Sequence, residues 1–240
     1  MAPMPAVRDA AEPGGGWFRL VLPFTLAALV AVMALPRLAA AVAELPARAV
    51  LEALRRGELR SLPGLRAAAS AAEAGLAWRE SAELWNGLAL LRQHQAQLAG
   101  LDLPGGPAQA LLADAAAASV RALALAPADG YAWGRLAEAR LALHGPAAAA
   151  PAFARDLALA SNDLGRLWQQ VDLGLTLWTT LAAPEREALG LRFLQAGRRN
   201  PHLLAWMAAR RHGLGPVRDA LAREAGLLSR FDAAYRGRRL

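Results

Sequence analysis

Residues 121–129 read RALALAPAD, and residues 155–163 read RDLALASND. Six of the nine positions are identical: Arg121 with Arg155, Leu123 with Leu157, Ala124 with Ala158, Leu125 with Leu159, Ala126 with Ala160, and Asp129 with Asp163. The offset is 34 residues, a period at which helix–turn–helix units stack on one another. Alanine and leucine, both strong helix formers, supply four of the six matches, so the surroundings have to carry the reading. Each stretch ends in a turn, at Pro127 in the first and at Ser161-Asn162-Asp163 in the second, a good N-cap cluster for the helix that follows. Working outward, Pro and Gly breaks predict helices near 46–58, 63–78, 79–99, 106–126, 131–144, 147–160, 163–182, 185–199, 201–213 and 216–235.

Pro127 precedes Trp133 by six residues, Leu136-Ala137 follow, and Ala149 and Phe153 stand where a second helix needs a small and an aromatic packing residue. Trp85-Asn86-Gly87-Leu88-Ala89 echoes Trp133-Gly134-Arg135-Leu136-Ala137, and Trp206 follows Asn200-Pro201 in nearly the same relation. On these residues the region from about 79 to 213 resembles a degenerate tetratricopeptide-repeat protein. The tryptophan spacings of 48 and 73 are not whole repeats, so helices or loops are lengthened near Leu101–Pro107 and around Pro184. The unit opening at Asp163 has Leu167 and then Trp168, off the aromatic's usual place. The resemblance implies an α-solenoid of antiparallel helix pairs with a concave face. Its register puts Tyr131, Gly134 and Glu138 on that face, and Gly165, Trp168 and Asp172 one period later.

Composition bounds the chemistry. The chain has 240 residues, 55% of them apolar and only 6% aromatic, which excludes disorder and disfavours an all-β fold. There is no cysteine, and all 27 basic residues are arginine, so disulfides, thiolate chemistry, Schiff bases and a P-loop lysine are absent. The four histidines, His94, His144, His202 and His212, are scattered, with no metal-ligand spacing. His144, before Gly145-Pro146, reads as a helix-end residue. No serine sits in Gly-x-Ser-x-Gly, and Gly14–Gly16 follows no strand. The expected class is a non-enzyme without catalytic residues, cofactor or metal.

Leu20 to Pro36 is a charge-free run of 17 residues, about 26 Å as helix and near the lower limit for crossing a ~30 Å hydrocarbon core. Arg19 and Arg37 bracket it, Trp17 and Phe18 precede it, and Pro23 falls in its first turn. It reads as a single anchor over 17–43, after a flexible tail of 1–16 and before a repeat domain of 44–240. A cleaved signal peptide with its site at Ala41-Val42-Ala43 and a buried core helix are the rivals. Arg37, Arg48, Arg55 and Arg56 outnumber Arg8 and Arg19, a count that puts the domain in the cytoplasm. The chain's general character is similar to small bacterial inner-membrane proteins of polysaccharide synthesis and export loci, which implies a periplasmic domain instead. The two indications oppose each other.

Residues 185–240 hold 12 arginines and 5 acids and so carry the whole net charge of +7. Solvated helix faces explain this, and so does an anion site on Arg198, Arg199, Arg210 and Arg211. Trp85, Trp133 and Trp206 are expected in inter-helix packing, with Trp168 or Trp178 free to line a groove. The expected function is a membrane-anchored adaptor in a cell-envelope assembly. It takes a peptide or helix of another protein against Tyr131, Glu138, Trp168 and Asp172. The bilayer is met through residues 17–43, and nucleic acid is not a partner. The alternative is a protein that binds anionic polysaccharide or lipid through its C-terminal arginines.

Overall fold

The first helix, α1 (Gly16–Arg55), runs for 40 residues, a rod of about 60 Å. From Val21 to Leu35 it is apolar on every side and uncovered: Leu22 and Phe24 are 72% and 73% exposed, and Leu29, Val32 and Leu35 are exposed likewise. Length and apolarity are sufficient for this segment to span a membrane. Its second half turns one face inward, where Ala40, Ala47 and Leu51 are buried. The expected break between the anchor and a separate helix at 46–58 is therefore absent. Pro46 stands on the exposed side of α1, away from the face that carries Ala47 and Leu51, so the carbonyl it frees is not sealed in the core.

This computed structural model describes residues 16–58, 61–100 and 106–237, with side chains from Val21 onward. Residues 1–15, the side chains of Trp17, Phe18, Arg19 and Leu20, residues 101–105 of the lengthened loop expected near Leu101–Pro107, and Arg238 and Arg239 fall outside that description. The described residues form eleven helices and no strand. After α1 come α2 (Leu62–Trp78), α3 (Ala82–Ala99), α4 (Pro107–Leu125), α5 (Gly130–His144) and α6 (Pro146–Leu159). Then follow α7 (Leu167–Leu177), α8 (Ala183–Arg199), α9 (Pro201–Arg210), α10 (Leu214–Leu221) and α11 (Ala225–Arg236). Each helix from α1 to α9 packs on the one that follows it. α4 is also long and apolar enough to cross a membrane, but it lies between α3 and α5, with Ala115, Ala118 and Ala122 buried.

Local chemistry sets the boundaries. Ser61, Ser81, Asp129 and Asn200 each accept a backbone N–H of the turn they open, and Pro63 and Pro201 occupy first-turn positions. α5 gives way to α6 at Gly145, whose φ of 82° suits glycine. The two halves of the opening comparison occupy matching places. Asp129 Oδ1 accepts from Tyr131 N at 2.9 Å, and Asp163 Oδ1 accepts from Gly165 N at 2.7 Å. The second turn is further held by Arg192, only 2% exposed, which donates to the carbonyls of Ser161 at 2.5 Å and Asp163 at 2.6 Å.

Three further helices differ from expectation. The helix expected at 163–182 is confined to Leu167–Leu177, because the chain turns through Leu164-Gly165-Arg166 before it can start. The helix expected at 201–213 stops at Arg210. There Gly213 tucks so close to Leu175 that any Cβ would overlap Leu175 Cδ2. The single helix expected at 216–235 divides into α10 and α11. Leu221 and Leu227 both pack on Gly197; on one continuous helix they would point roughly 240° apart, and the break at 222–224 aims both at α8.

The core is layered along the chain. One cluster joins α1, α2 and α3 through Ala47, Leu51, Leu65, Ala72 and Leu91. A larger one runs from α4 to α11 around Phe153, Phe193 and Phe231. Trp85 and Trp133 are half-buried against these layers, as packing residues would be, and Trp133 Nε1 donates to the Pro127 carbonyl at 2.8 Å. Trp206 is instead 39% exposed, with the Arg210 guanidinium 5.2 Å from its ring centroid.

Candidate functional site

The helices α1, α3, α5 and α7 line a groove. Its first section, a cavity of about 780 Å³, is walled by the C-terminal end of α1 (Leu51, Leu54, Arg55), by α3 (Asn86, Leu90, His94), by α5 (Tyr131, Arg135, Glu138) and by Arg166 and Gln169. The second section, about 600 Å³, continues from it along α3, α5 and α7 to Trp168, Asp172, Thr176 and Arg211. The two share Leu90, His94, Glu138 and Gln169. On α5 the lining residues Tyr131, Arg135, Glu138 and Ala142 follow helical spacing. Those of α7 and its leading turn stand 34 positions later: Gly165, Gln169, Asp172 and Thr176.

All four candidate contact residues, Tyr131, Glu138, Trp168 and Asp172, thus lie along this groove. The four candidate anion-binding arginines do not converge. Arg198 is engaged by Glu224, Arg210 stacks on Trp206, and Arg199 ends α8. Arg211 reaches back to α7 and grips Asp172 with both nitrogens, Nε to Oδ1 at 2.8 Å and Nη2 to Oδ2 at 2.6 Å. That planar pairing fixes the far end of the groove.

Under the groove floor lies a polar network that the residue spacing alone does not show. Asp156, fully buried, accepts from Arg166 Nη2 at 2.8 Å and from Gln170 Nε2 at 3.0 Å. The Arg166 guanidinium occupies the space left by Gly134, donates to Gln169 Oε1 at 2.7 Å, and lies 5.3 Å from the Tyr131 ring centroid. Across the groove, Asn86 donates to Asp129 at 2.8 Å and accepts from Arg135, while Gln93 donates to the Arg135 carbonyl at 2.9 Å. Arg135 Nε is buried without a hydrogen-bond partner among the described residues. Burial pulls Arg135 down to about 10, still leaving it charged at neutral pH.

Two groups here are perturbed in ways that matter. Burial, helped by the neighbouring Arg135 charge, holds His94 below its ordinary value, so a neutral imidazole faces the join between the sections. Glu138 has no hydrogen bond or ion pair among the described residues, and burial pushes its carboxyl up despite the attraction of Arg166 and Arg135. An acid whose value is raised by folding lowers stability increasingly as pH rises through that value. Glu138→Gln is therefore expected to melt higher than the wild type near neutral pH. The gap should close as pH falls below the ordinary glutamate value of 4.5. Thermal melts across that range check both the sign and the window.

The groove offers both charge signs, amides, a neutral imidazole and two aromatic surfaces. It suits recognition of a polar or amphipathic chain segment, with Tyr131 and Trp168 as apolar contacts. Among the described residues no three His, Asp or Glu side chains stand close enough together to hold a metal ion. Sequence reading missed Asn86, His94, Arg135, Arg166 and Gln169. The 34-residue register from Tyr131 does place Arg135 and Gln169 on the same face, but Arg166 sits in a turn where periodicity says nothing. No protein family, curated protein or solved structure matches the chain.

Proposed function

We propose that the protein is a membrane-anchored helical-repeat adaptor whose groove docks a peptide or helix of another protein. In this reading α1 is a bilayer span, and α3 to α9 are antiparallel helix pairs of tetratricopeptide type, stacked so that the odd-numbered members face the ligand. The observation that carries it is the two-section groove, whose α5 and α7 walls repeat at 34 residues. Its volume exceeds what one small molecule needs and follows several helices in turn. The unpaired Glu138 carboxylate on the groove wall is an acceptor available to a bound backbone or side chain. The general character of the sequence supports a place in envelope assembly, with polysaccharide synthesis or export as the setting.

Tethering raises the partner's effective concentration at the membrane. The adaptor adds position and proximity, and no chemistry of its own. The test is site-specific photo-crosslinking in the native membrane. A photoreactive residue replacing Trp168 in the groove is expected to trap one discrete protein species. The same probe at Leu159, exposed at the end of α6, is expected to trap none.

A further inference from the structure

α2 runs back along α1 toward the uncovered apolar half. A Cβ on Gly75 would lie 3.2 Å from Glu44 Cβ and 3.6 Å from the Ala40 carbonyl, so that point of α2 is level with residues 40–44 of α1. Trp78, three residues further on, is thereby about 4.5 Å closer to the span, level with Arg37, the first charge after the apolar run. Trp78 is 58% exposed although it is a large aromatic.

The corner that follows, Arg79 to Ser81, closes a small cavity of about 200 Å³ against α1. Its charged wall holds Arg37, Glu44 and Arg48 from α1, Arg79 from the corner and Glu83 from the first turn of α3. Arg48 is engaged by Glu44, whereas Arg37 and Arg79 have no carboxylate within ion-pairing distance among the described residues. Beside this wall, Leu38, Val42 and Leu45 extend an exposed apolar stripe at helical spacing for two turns beyond Arg37.

A tryptophan, two uncommitted arginines and a continuing apolar stripe all lie where α1 leaves its charge-free stretch. Interfacial aromatics and cations directed at lipid phosphates occupy this level in membrane proteins. We propose that the α2–α3 corner is a phospholipid-headgroup site. Arg37 and Arg79 hold the phosphate of an anionic lipid, and Trp78 lies in the interfacial layer. The proposal rests on α1 being a bilayer span. Its consequence is that the helical domain is seated on the membrane in one orientation, with the groove at a fixed height, instead of swivelling on its stalk.

The chain has no cysteine, so Glu80→Cys and Val30→Cys each give a single labelling site for a fluorophore in the intact protein reconstituted into nanodiscs. Chain-brominated phosphatidylglycerol is expected to quench the label at 80 several-fold more than brominated phosphatidylcholine at the same mole fraction. Arg37→Gln and Arg79→Gln are each expected to lower that preference about fivefold, and together to erase it. Millimolar inorganic phosphate is expected to leave it unchanged. Equal quenching by the two lipids overturns the proposal, as does a preference abolished by inorganic phosphate, which marks a free-anion site. Quenching at 30 without quenching at 80 removes the headgroup site and leaves the span standing. No quenching at either position removes the span and the proposal together.

Discussion

Asp156→Ala is expected to destabilise the folded domain by about 3–5 kcal/mol, the usual cost of stranding one member of a buried ion pair. Asp156 is fully buried and Arg166 is 2% exposed, so neither can turn to water when the other is lost. Removing the carboxylate also takes away the Oδ1 acceptor of Gln170 Nε2, which keeps only the backbone carbonyl of residue 156 at 3.2 Å. In a chain of this size the loss corresponds to a fall in melting temperature of roughly 10 °C. The charges themselves are not what the fold requires. Replacing Asp156, Arg166 and Gln170 together by leucine should recover most of the loss, since a packed apolar cluster often equals or exceeds a buried pair. That variant keeps the helices and loses the groove floor, which separates stability from recognition. Thermal or denaturant unfolding of the three proteins checks the ordering.

The second large effect is expected at Gly134. A methyl group there would overlap Arg166 Nη2, and would lie 2.6 Å from its Cζ and 3.0 Å from Asp156 Oδ2. Ordinarily an arginine tip moves aside at little cost, but this one is enclosed and held by Asp156, Gln169 and the Tyr131 ring. Gly134→Ala should therefore expel the guanidinium and cost about 2–4 kcal/mol. That estimate takes the penalty of a broken buried pair and subtracts the ~1 kcal/mol that alanine gains over glycine inside a helix. In the triple-leucine background the sign changes only if the leucine at 166 leaves that space free. Arg166→Ala is thus the cleaner background: adding Gly134→Ala to it should cost nothing or stabilise slightly. A double-mutant cycle measures this coupling directly.

Both effects centre on the Asp156–Arg166 pair, which pattern reading does not single out, and the reason is physical. Tyr131, Glu138, Trp168 and Asp172 can be placed on one wall because a helical period and a 34-residue offset both operate there. Arg166 lies in a turn, and Asp156 reads as one more acid on a helix; only their approach in space makes them a pair. The same limit explains the arginine-rich C-terminal quarter. Arg198 and Arg199 are neighbours in sequence but point about 100° apart on a helix, and Arg211 is spent on an acid 39 positions away. Pro46 illustrates the converse error. Proline reads as a helix end, yet on an exposed face of a helix clamped by α2 it is carried through, and the stalk and the domain become one rod.

That continuity gives the groove its meaning in the proposed adaptor, since its first wall, Leu51 to Arg55, is the upper end of the same helix that supplies the span. The most direct measurement is the photo-crosslinking comparison between position 168 and position 159, made with the intact chain in its native membrane. A discrete adduct from the groove position, weakened when Asp172→Asn loosens the Arg211 clamp, together with silence at Leu159, is the result required. Equal adducts from both positions, or none from the groove, would contradict a docking function for this face.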